Sequence, residues 1–159
     1  MGFKSKMAFL AVPAAIFGTD GIVKRRIDRK METDEQKDIF GGRLILQKHY
    51  NEGAALGIFA SQPKAVLWIQ GAFLSITAVY YALLLLKKER TGLKISLGML
   101  LGGGMSNLYD RLKKRHVVDY IKIPSKNRRL SRIVFNISDI FIFAGTVLTA
   151  FLWDRKKKG

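Results

Sequence analysis

Three aspartates, Asp110, Asp119 and Asp139, have the residue type and spacing that could do hydrolytic chemistry. Two carboxyl groups held together in a shielded site cannot both ionise, so they share one proton. One can then act as a base toward water while the other polarises a carbonyl, as in aspartic peptidases. Each also has a plain structural interpretation. Asp110 could pair with Arg111, Asp119 could be a loop acid, and Asp139 could be a buried hydrogen-bonding group.

Other catalytic centres find no support in the sequence. The chain has no cysteine, which excludes disulfides, thiolate metal sites and cysteine nucleophiles. His49 and His116 are its two histidines, and neither a His-Glu-x-x-His nor a Gly-x-Ser-x-Gly pattern occurs. The glycine run 102–104 lacks the Gly-Lys-Ser/Thr of a phosphate-binding loop, so helix packing or a tight turn explains it better. We therefore expect no metal ion and no cofactor.

Long apolar runs separated by basic segments predict four transmembrane helices within one domain, 1–159. Residues 65–86 carry no charge over 22 positions, and a helix of that length measures about 33 Å. The other predicted spans are 7–23, 93–110 and 133–153. The first also resembles a secretory signal peptide, but it continues directly into charged residues.

Four consecutive antiparallel spans bring the end of the first, the start of the second, the end of the third and the start of the fourth to one face. The unusual polar residues gather at this face: Asp20, Asn51, Asn107, Asp110, Arg111, Asp119, Asn136 and Asp139. The pattern places Asp139 six residues into the fourth span, about 9 Å along the helix. An ionisable group at that depth is expensive and predicts a function.

Charge counts alone do not orient the chain, which has a formal net charge of +16. The polar face carries 18 basic residues and the opposite face carries 10, although the densest cluster lies in the short loop between the second and third spans. The basic character could also suggest a nucleic-acid binder. We expect none, because basic loops beside membrane spans attract anionic lipid headgroups at roughly 1 kcal/mol each.

Five short segments, in order along the chain, resemble lipoprotein signal peptidase, also called signal peptidase II. They are 20–24 (DGIVK), 51–57 (NEGAALG), 103–111 (GGMSNLYDR), 117–120 (VVDY) and 135–139 (FNISD). One such motif is weak, whereas five in register across 20–139 are specific. The resemblance implies a mainly α, integral membrane bundle of four transmembrane helices with a small extracytoplasmic β-cradle and loop, supplied by residues 43–59 and 113–132.

The resemblance also implies an activity and its residues. The implied enzyme is an intramembrane aspartic endopeptidase of the bacterial cytoplasmic membrane. It acts as a monomer among membrane lipids, and its site faces the extracytoplasmic side. Its substrate is a prolipoprotein already modified with diacylglyceryl, cut just before the lipidated cysteine. Asp119 and Asp139 match the catalytic dyad. The positions that match substrate-binding or dyad-supporting residues are Asn51, Gly53, Asn107, Arg111, Asn136, Asp20, Lys24 and Asp110, the last in an ion pair with Arg111.

Three departures from the family pattern concern small side chains. Gly21 stands where glutamine is usual, Ser106 where glycine is common, and Ser138 where alanine is common. Ser138 adjoins Asp139, and we expect it to donate a hydrogen bond to that carboxylate.

One rival interpretation from the residues remains. A small transporter or proton relay would also place carboxylates in a membrane bundle, but it would line a path through both faces.

Overall fold

The computed structural model describes residues 2–53, 61–127 and 130–154, and it is mainly helical with a small antiparallel sheet. Its helices are α1 (Phe3–Lys30), α2 (Pro63–Leu86), α3 (Thr91–Lys114) and α4 (Ile137–Asp154). Its strands are β1 (Gln36–Ile39), β2 (Leu44–Asn51), β3 (Val117–Lys122) and β4 (Val134–Phe135), with a short 3₁₀ helix at Leu130–Arg132. The mainly α prediction with a small sheet is confirmed. Residues 54–59 and 128–129 of the predicted cradle and loop lie outside the described residues.

The fourth helix begins later than the apolar run indicates. Hydropathy predicts its start at residue 133, whereas residues 134 and 135 pair with β3 as strand β4. This segment is an extended edge strand of the sheet, and helical structure starts only at Ile137. The predicted depth of Asp139, about 9 Å along a helix, is therefore wrong. Asp139 lies in the first turn of α4.

Helix α3 is central, and three consecutive glycines let the other helices approach it. Successive residues of a helix point about 100° apart, so three in a row face three directions. A Cβ on Gly102 would lie 2.8 Å from the Cα of Pro13 in α1, and one on Gly103 would lie 2.6 Å from the backbone oxygen of Ser138 in α4. A Cβ on Gly104 would meet a leucine side chain of α2. The run therefore serves helix packing.

Helix α1 contains a proline whose missing hydrogen bond is replaced by a neighbouring helix. Pro13 has no N–H, so the carbonyl of Phe9, four residues earlier, loses its helical partner. The hydroxyl of Tyr81 in α2 donates to this carbonyl at 2.8 Å. Such replacement is what allows proline inside an apolar helix.

Helices α2 and α4 expose apolar side chains that a water-soluble protein would bury. Ile69, Phe73, Ile76 and Leu83 lie exposed on one face of α2, and Phe143 is 73% exposed on α4. By length and composition, α1 over Lys4–Lys30 and α2 are each able to cross a membrane, and Ile137–Trp153 is a shorter apolar helix.

The sheet has the strand order β1-β2-β3-β4, and every neighbouring pair is antiparallel. Val118 and Tyr120 of β3 pack against Ile27 and Met31 at the C-terminal end of α1. This packing holds β3 beside the bundle. Successive side chains of a strand point to opposite faces, so Asp119 points away from the face formed by Val118 and Tyr120.

Candidate active site

Asp139 is positioned by reciprocal hydrogen bonds at the start of α4. The side-chain Oδ1 of Asn136, which precedes the helix, accepts a hydrogen bond from the backbone N–H of Asp139 at 2.8 Å. Oδ2 of Asp139 accepts one from the backbone N–H of Asn136 at 3.1 Å. This is the arrangement of a capping box, with asparagine and aspartate as its two members. These bonds hold the carboxyl group of Asp139 at the N-terminus of α4.

Asp119 lies in β3 and is 1% exposed. Its Oδ2 accepts a hydrogen bond from the side-chain amide of Asn51 at 2.9 Å, and its Oδ1 accepts one from that of Asn136 at 2.7 Å. Asn136 thus donates to Asp119 through its side chain and to Asp139 through its backbone. The structure therefore brings the two expected catalytic carboxyls to one asparagine.

Asn107 of α3 links the carboxyl pair to a buried cation. Its amide nitrogen donates to Oδ1 of Asp139 at 2.8 Å. Its oxygen accepts from the amide of Asn136 at 3.2 Å and from Nζ of Lys24 at 2.7 Å. A side chain that is both donor and acceptor is required here, and asparagine meets that requirement.

Lys24 is 1% exposed and is compensated by two carboxylates. Its Nζ lies 2.8 Å from Oδ2 of Asp20, one helical turn earlier, and 3.1 Å from Oδ2 of Asp110 in α3. A buried charge is tolerated when it is paired and hydrogen-bonded in this way. Both members of the expected supporting pair, Asp20 and Lys24, therefore join the same network as Asn107.

The predicted ion pair between Asp110 and Arg111 does not form. Adjacent residues of a helix point about 100° apart, so the two side chains leave α3 in different directions. Asp110 faces Lys24 at 3.1 Å and Lys114 at 3.6 Å.

Ser138 also differs from its prediction. Its hydroxyl donates to Oδ2 of Asp20 at 2.6 Å rather than to Asp139. Ser106 donates to the same oxygen at 2.6 Å. The two serines, which depart from the family pattern, therefore serve the same buried carboxylate.

Arg111 faces the loop that follows β2. Its Nη2 donates to the carbonyl of Gly53 at 2.5 Å, and its Nη1 donates to Oε1 of Gln70 at 3.0 Å. The backbone N–H of Gly53 donates to Oδ1 of Asn51 at 3.0 Å. Arg111 and Gly53 thus lie beside Asn51, the asparagine that donates to Asp119.

Gln70 is a residue of this site that the sequence reasoning missed. Its amide nitrogen donates to the carbonyl of Gly104 at 2.9 Å, and its amide oxygen accepts a hydrogen bond from Arg111. The available signal is a polar side chain inside the apolar run 65–86. Its partner lies 41 residues away, which the sequence does not reveal.

The environment of Asp119 suits proton transfer near neutral pH. Burial, and then the negative charge of Asp139, raise the pKa of Asp119 to about 7, against the opposing effect of the amide donors Asn51 and Asn136. A carboxyl with such a pKa is available in both protonation states.

Among residues 2–53, 61–127 and 130–154, no group of three histidine, aspartate or glutamate side chains could hold a metal ion.

The chain is similar to known proteins over nearly its whole length. The family model for signal peptidase (SPase) II matches residues 12–153. The lipoprotein signal peptidase of Pseudomonas aeruginosa strain UCBPP-PA14 is 32% identical over 162 residues, which cover 96% of this chain and 91% of that protein. The lipoprotein signal peptidase of Bacillus subtilis strain 168 is 31% identical over 154 residues, with 96% and 97% covered.

Two solved bacterial membrane enzymes have the same fold. One aligns with a TM-score of 0.78 at 21% identity, covering 96% of this chain and 92% of its own. The other aligns with a TM-score of 0.74 at 20% identity, covering 92% of each chain. The likeness to these structures shows the fold alone. The family match and the curated relatives are similarities of sequence over nearly the whole chain. The apolar helices are typical of a membrane protein, and the family match together with the curated relatives shows that this chain belongs to the signal peptidase II family.

Proposed function

We propose that this chain is an intramembrane aspartic endopeptidase. It removes the signal peptide from diacylglyceryl-modified bacterial prolipoproteins and cuts just before the lipidated cysteine. Family membership supports a peptidase that acts on lipoprotein precursors. The observation that carries the aspartic mechanism is that Asn136 donates to both Asp119 and Asp139.

In the proposed reaction the two carboxyls hold one proton between them. The ionised carboxyl takes a proton from water, and the water oxygen attacks the scissile carbonyl carbon. The other carboxyl gives its proton to the carbonyl oxygen, which forms a tetrahedral diol. As the C–N bond breaks, the carboxyl that took the water proton gives it to the leaving amine. A hydroxyl of the diol gives its proton to the other carboxylate, so the dyad again holds one proton. The products are a carboxyl terminus on the signal peptide and a free amine on the cysteine.

Polar groups beside the dyad would hold the substrate backbone. A peptide unwound in lipid has N–H and C=O groups that no water satisfies. Nε of Arg111 is buried, and it finds no hydrogen-bond partner among the residues that the structure describes. This donor lies on the side chain that binds Gly53, so it is suited to a substrate carbonyl.

The proposed setting is the bacterial cytoplasmic membrane, with all four helices of this single domain crossing it as a monomer. The exposed apolar faces of α2 and α4 support contact with lipid tails. The dyad and the sheet share one end of the bundle, which we assign to the extracytoplasmic side. The substrate lipid would then lie against the bilayer and set the depth of the cut.

Cleavage in detergent tests this proposal. The substrate is a diacylglyceryl-modified prolipoprotein, with the unmodified precursor as its control. We expect the parent to cut only the lipidated substrate, while Asp119→Asn and Asp139→Asn are folded but at least about a thousandfold slower, since each removes a dyad member. Asp38→Asn, an exposed aspartate of β1, is the matched control and should retain full activity.

Two results would contradict the proposal in different ways. If both dyad variants cut as fast as the parent, the carboxyl pair is not catalytic. If the folded parent cuts neither substrate, the peptidase assignment fails for this chain, and transport of protons or small solutes by the buried carboxylates becomes the interpretation to test.

A further inference from the structure

The carboxylate of Asp20 is surrounded by hydroxyl groups from three other elements. Ser106 and Ser138 donate to its Oδ2, and Tyr120 donates to its Oδ1 at 2.8 Å. Asp20 itself is 0% exposed and lies 2.8 Å from Nζ of Lys24. These contacts use both of its oxygens, so its position is determined from several directions.

Tyr120 differs from the two serines because its hydroxyl makes a second bond. The same oxygen accepts a hydrogen bond from the backbone N–H of Ile137 at 3.1 Å. Ile137 is the first residue of α4, and its N–H has no partner within the helix. Burial, and then the charge of Asp20, raise the pKa of Tyr120, so the hydroxyl keeps the proton that it donates.

We propose that Tyr120 is a positioning residue for the catalytic pair: its hydroxyl, anchored on Asp20, holds the first turn of α4 against β3. Tyr120 directly follows Asp119 in β3, and Ile137 lies two residues before Asp139 in α4. One oxygen atom thus joins the two elements that carry the dyad. This inference rests on the proposed function.

The expected consequence of losing this oxygen is a small displacement of Asp139 relative to Asp119. A misplacement of about 1 Å in a catalytic group can lower the rate about a hundredfold. Tyr120 is 2% exposed and packs against Val118 and Ile27, so its ring stays buried without the hydroxyl. Because the Tyr120 side chain is buried in the protein, we expect substrate binding to be little affected.

The test is the steady-state kinetics of Tyr120→Phe on lipidated prolipoprotein in detergent. We expect kcat to fall about tenfold or more with KM within about twofold of the parent. We also expect a shift in the pH profile of kcat, since the two carboxyls would interact differently. Tyr81→Phe is the matched control, because Tyr81 is 4% exposed and its hydroxyl also makes a 2.8 Å bond, but to the carbonyl of Phe9 in α1 rather than to the start of α4. It should keep the parent kcat and pH profile even if its melting temperature falls.

A second variant tests the same bond from the other side. Ile137→Pro removes the backbone N–H that donates to the Tyr120 hydroxyl. Residue 137 is the first position of α4, where proline is well tolerated. We expect its kcat to fall in the same way. The double variant should lose little more kcat than the slower single variant, because both changes remove the same hydrogen bond, and Ile137→Pro alone also removes the packing of the Ile137 side chain. If Tyr120→Phe does not fold, the kcat of Ile137→Pro decides the question.

The inference is overturned if Tyr120→Phe or Ile137→Pro melts at a lower temperature but keeps the parent kcat and pH profile well below that temperature. It is also overturned if Tyr81→Phe loses kcat to the same extent. Loss of the proposed function looks different, since the parent itself would then fail to cut the lipidated substrate.

Discussion

At the scale of single residues, neutral amides rather than cations hold the two candidate catalytic carboxyls. Asn51 and Asn136 donate to Asp119, and Asn107 donates to Asp139. The buried cation Lys24 binds the oxygen of Asn107 instead of either catalytic carboxyl group. A cation in direct contact would favour ionisation of both carboxyls, and the shared proton would be lost. Amide donors orient the pair without that effect.

The raised pKa of Asp119 predicts that the folded protein loses stability as the pH rises. Its pKa is about 7 in the folded protein against an ordinary value of 3.8. Between these values the folded state binds more protons than the unfolded state, so the free energy of unfolding falls as the pH rises from about 4 to about 7. We expect the melting temperature in detergent to fall between pH 5 and pH 8, and to fall less in Asp119→Asn.

The comparison between parent and variant isolates this carboxyl from the other titrating groups. An equal decrease in both proteins would mean that Asp119 does not contribute to the pH dependence. Above about pH 7 the same loss of the shared proton should also slow cleavage by the parent.

At the scale of secondary structure, α3 sets where the other helices lie. Gly103 is the contact of interest, because its backbone lies against the carbonyl of Ser138, in the first turn of α4. The start of α4 is thus fixed from two sides, by β3 through Tyr120 and by α3 through the missing side chain of Gly103. Any change in the α3 to α4 distance moves Asp139.

We therefore predict that Gly103→Ala lowers both the melting temperature and the cleavage rate. The new Cβ would lie 2.6 Å from a backbone oxygen, which cannot rotate away as a side chain could. Gly18→Ala is the control, since a Cβ at Gly18 in α1 meets nothing within 4 Å. Alanine favours a helix by about 1 kcal/mol over glycine, so this control should melt at the parent temperature or above it. Equal behaviour of the two variants would show that the close approach of α3 and α4 does not matter.

At the scale of the whole molecule, the distribution of charge explains the high pI of about 10.3 without a nucleic acid. Basic residues flank apolar helices on both faces, where anionic lipid headgroups attract them. The sheet and the dyad lie at the face that carries more of these residues, so a count of charges alone opposes the orientation that we propose.

Single-cysteine labelling tests this orientation directly, because the chain has no cysteine of its own. Lys37→Cys places an exposed thiol on β1, and Lys88→Cys places one between α2 and α3. We expect a membrane-impermeant maleimide to label the first thiol in cells whose cytoplasmic membrane is intact, once the reagent has been given access to that membrane's outer surface. The second should react only after the cytoplasmic membrane is permeabilised. The reverse pattern would place the dyad on the cytoplasmic side and contradict the proposed topology.

The sequence alone determined the class of fold, the identities of the polar residues and their grouping at one end. Long uncharged runs such as 65–86 predict helices because burial in lipid depends on composition, a local property. The order of five short motifs was enough to suggest the family, and the family match confirms it.

Only the tertiary structure decided which side chains meet. Asp110 pairs with Lys24 rather than with adjacent Arg111, and Ser138 donates to Asp20 rather than to adjacent Asp139. The start of α4 moved to Ile137 because pairing with β3 overrides the apolar pattern before it. Hydrogen bonds and ion pairs depend on distance and direction between elements far apart in the chain. Hydropathy and motif spacing carry no information about either.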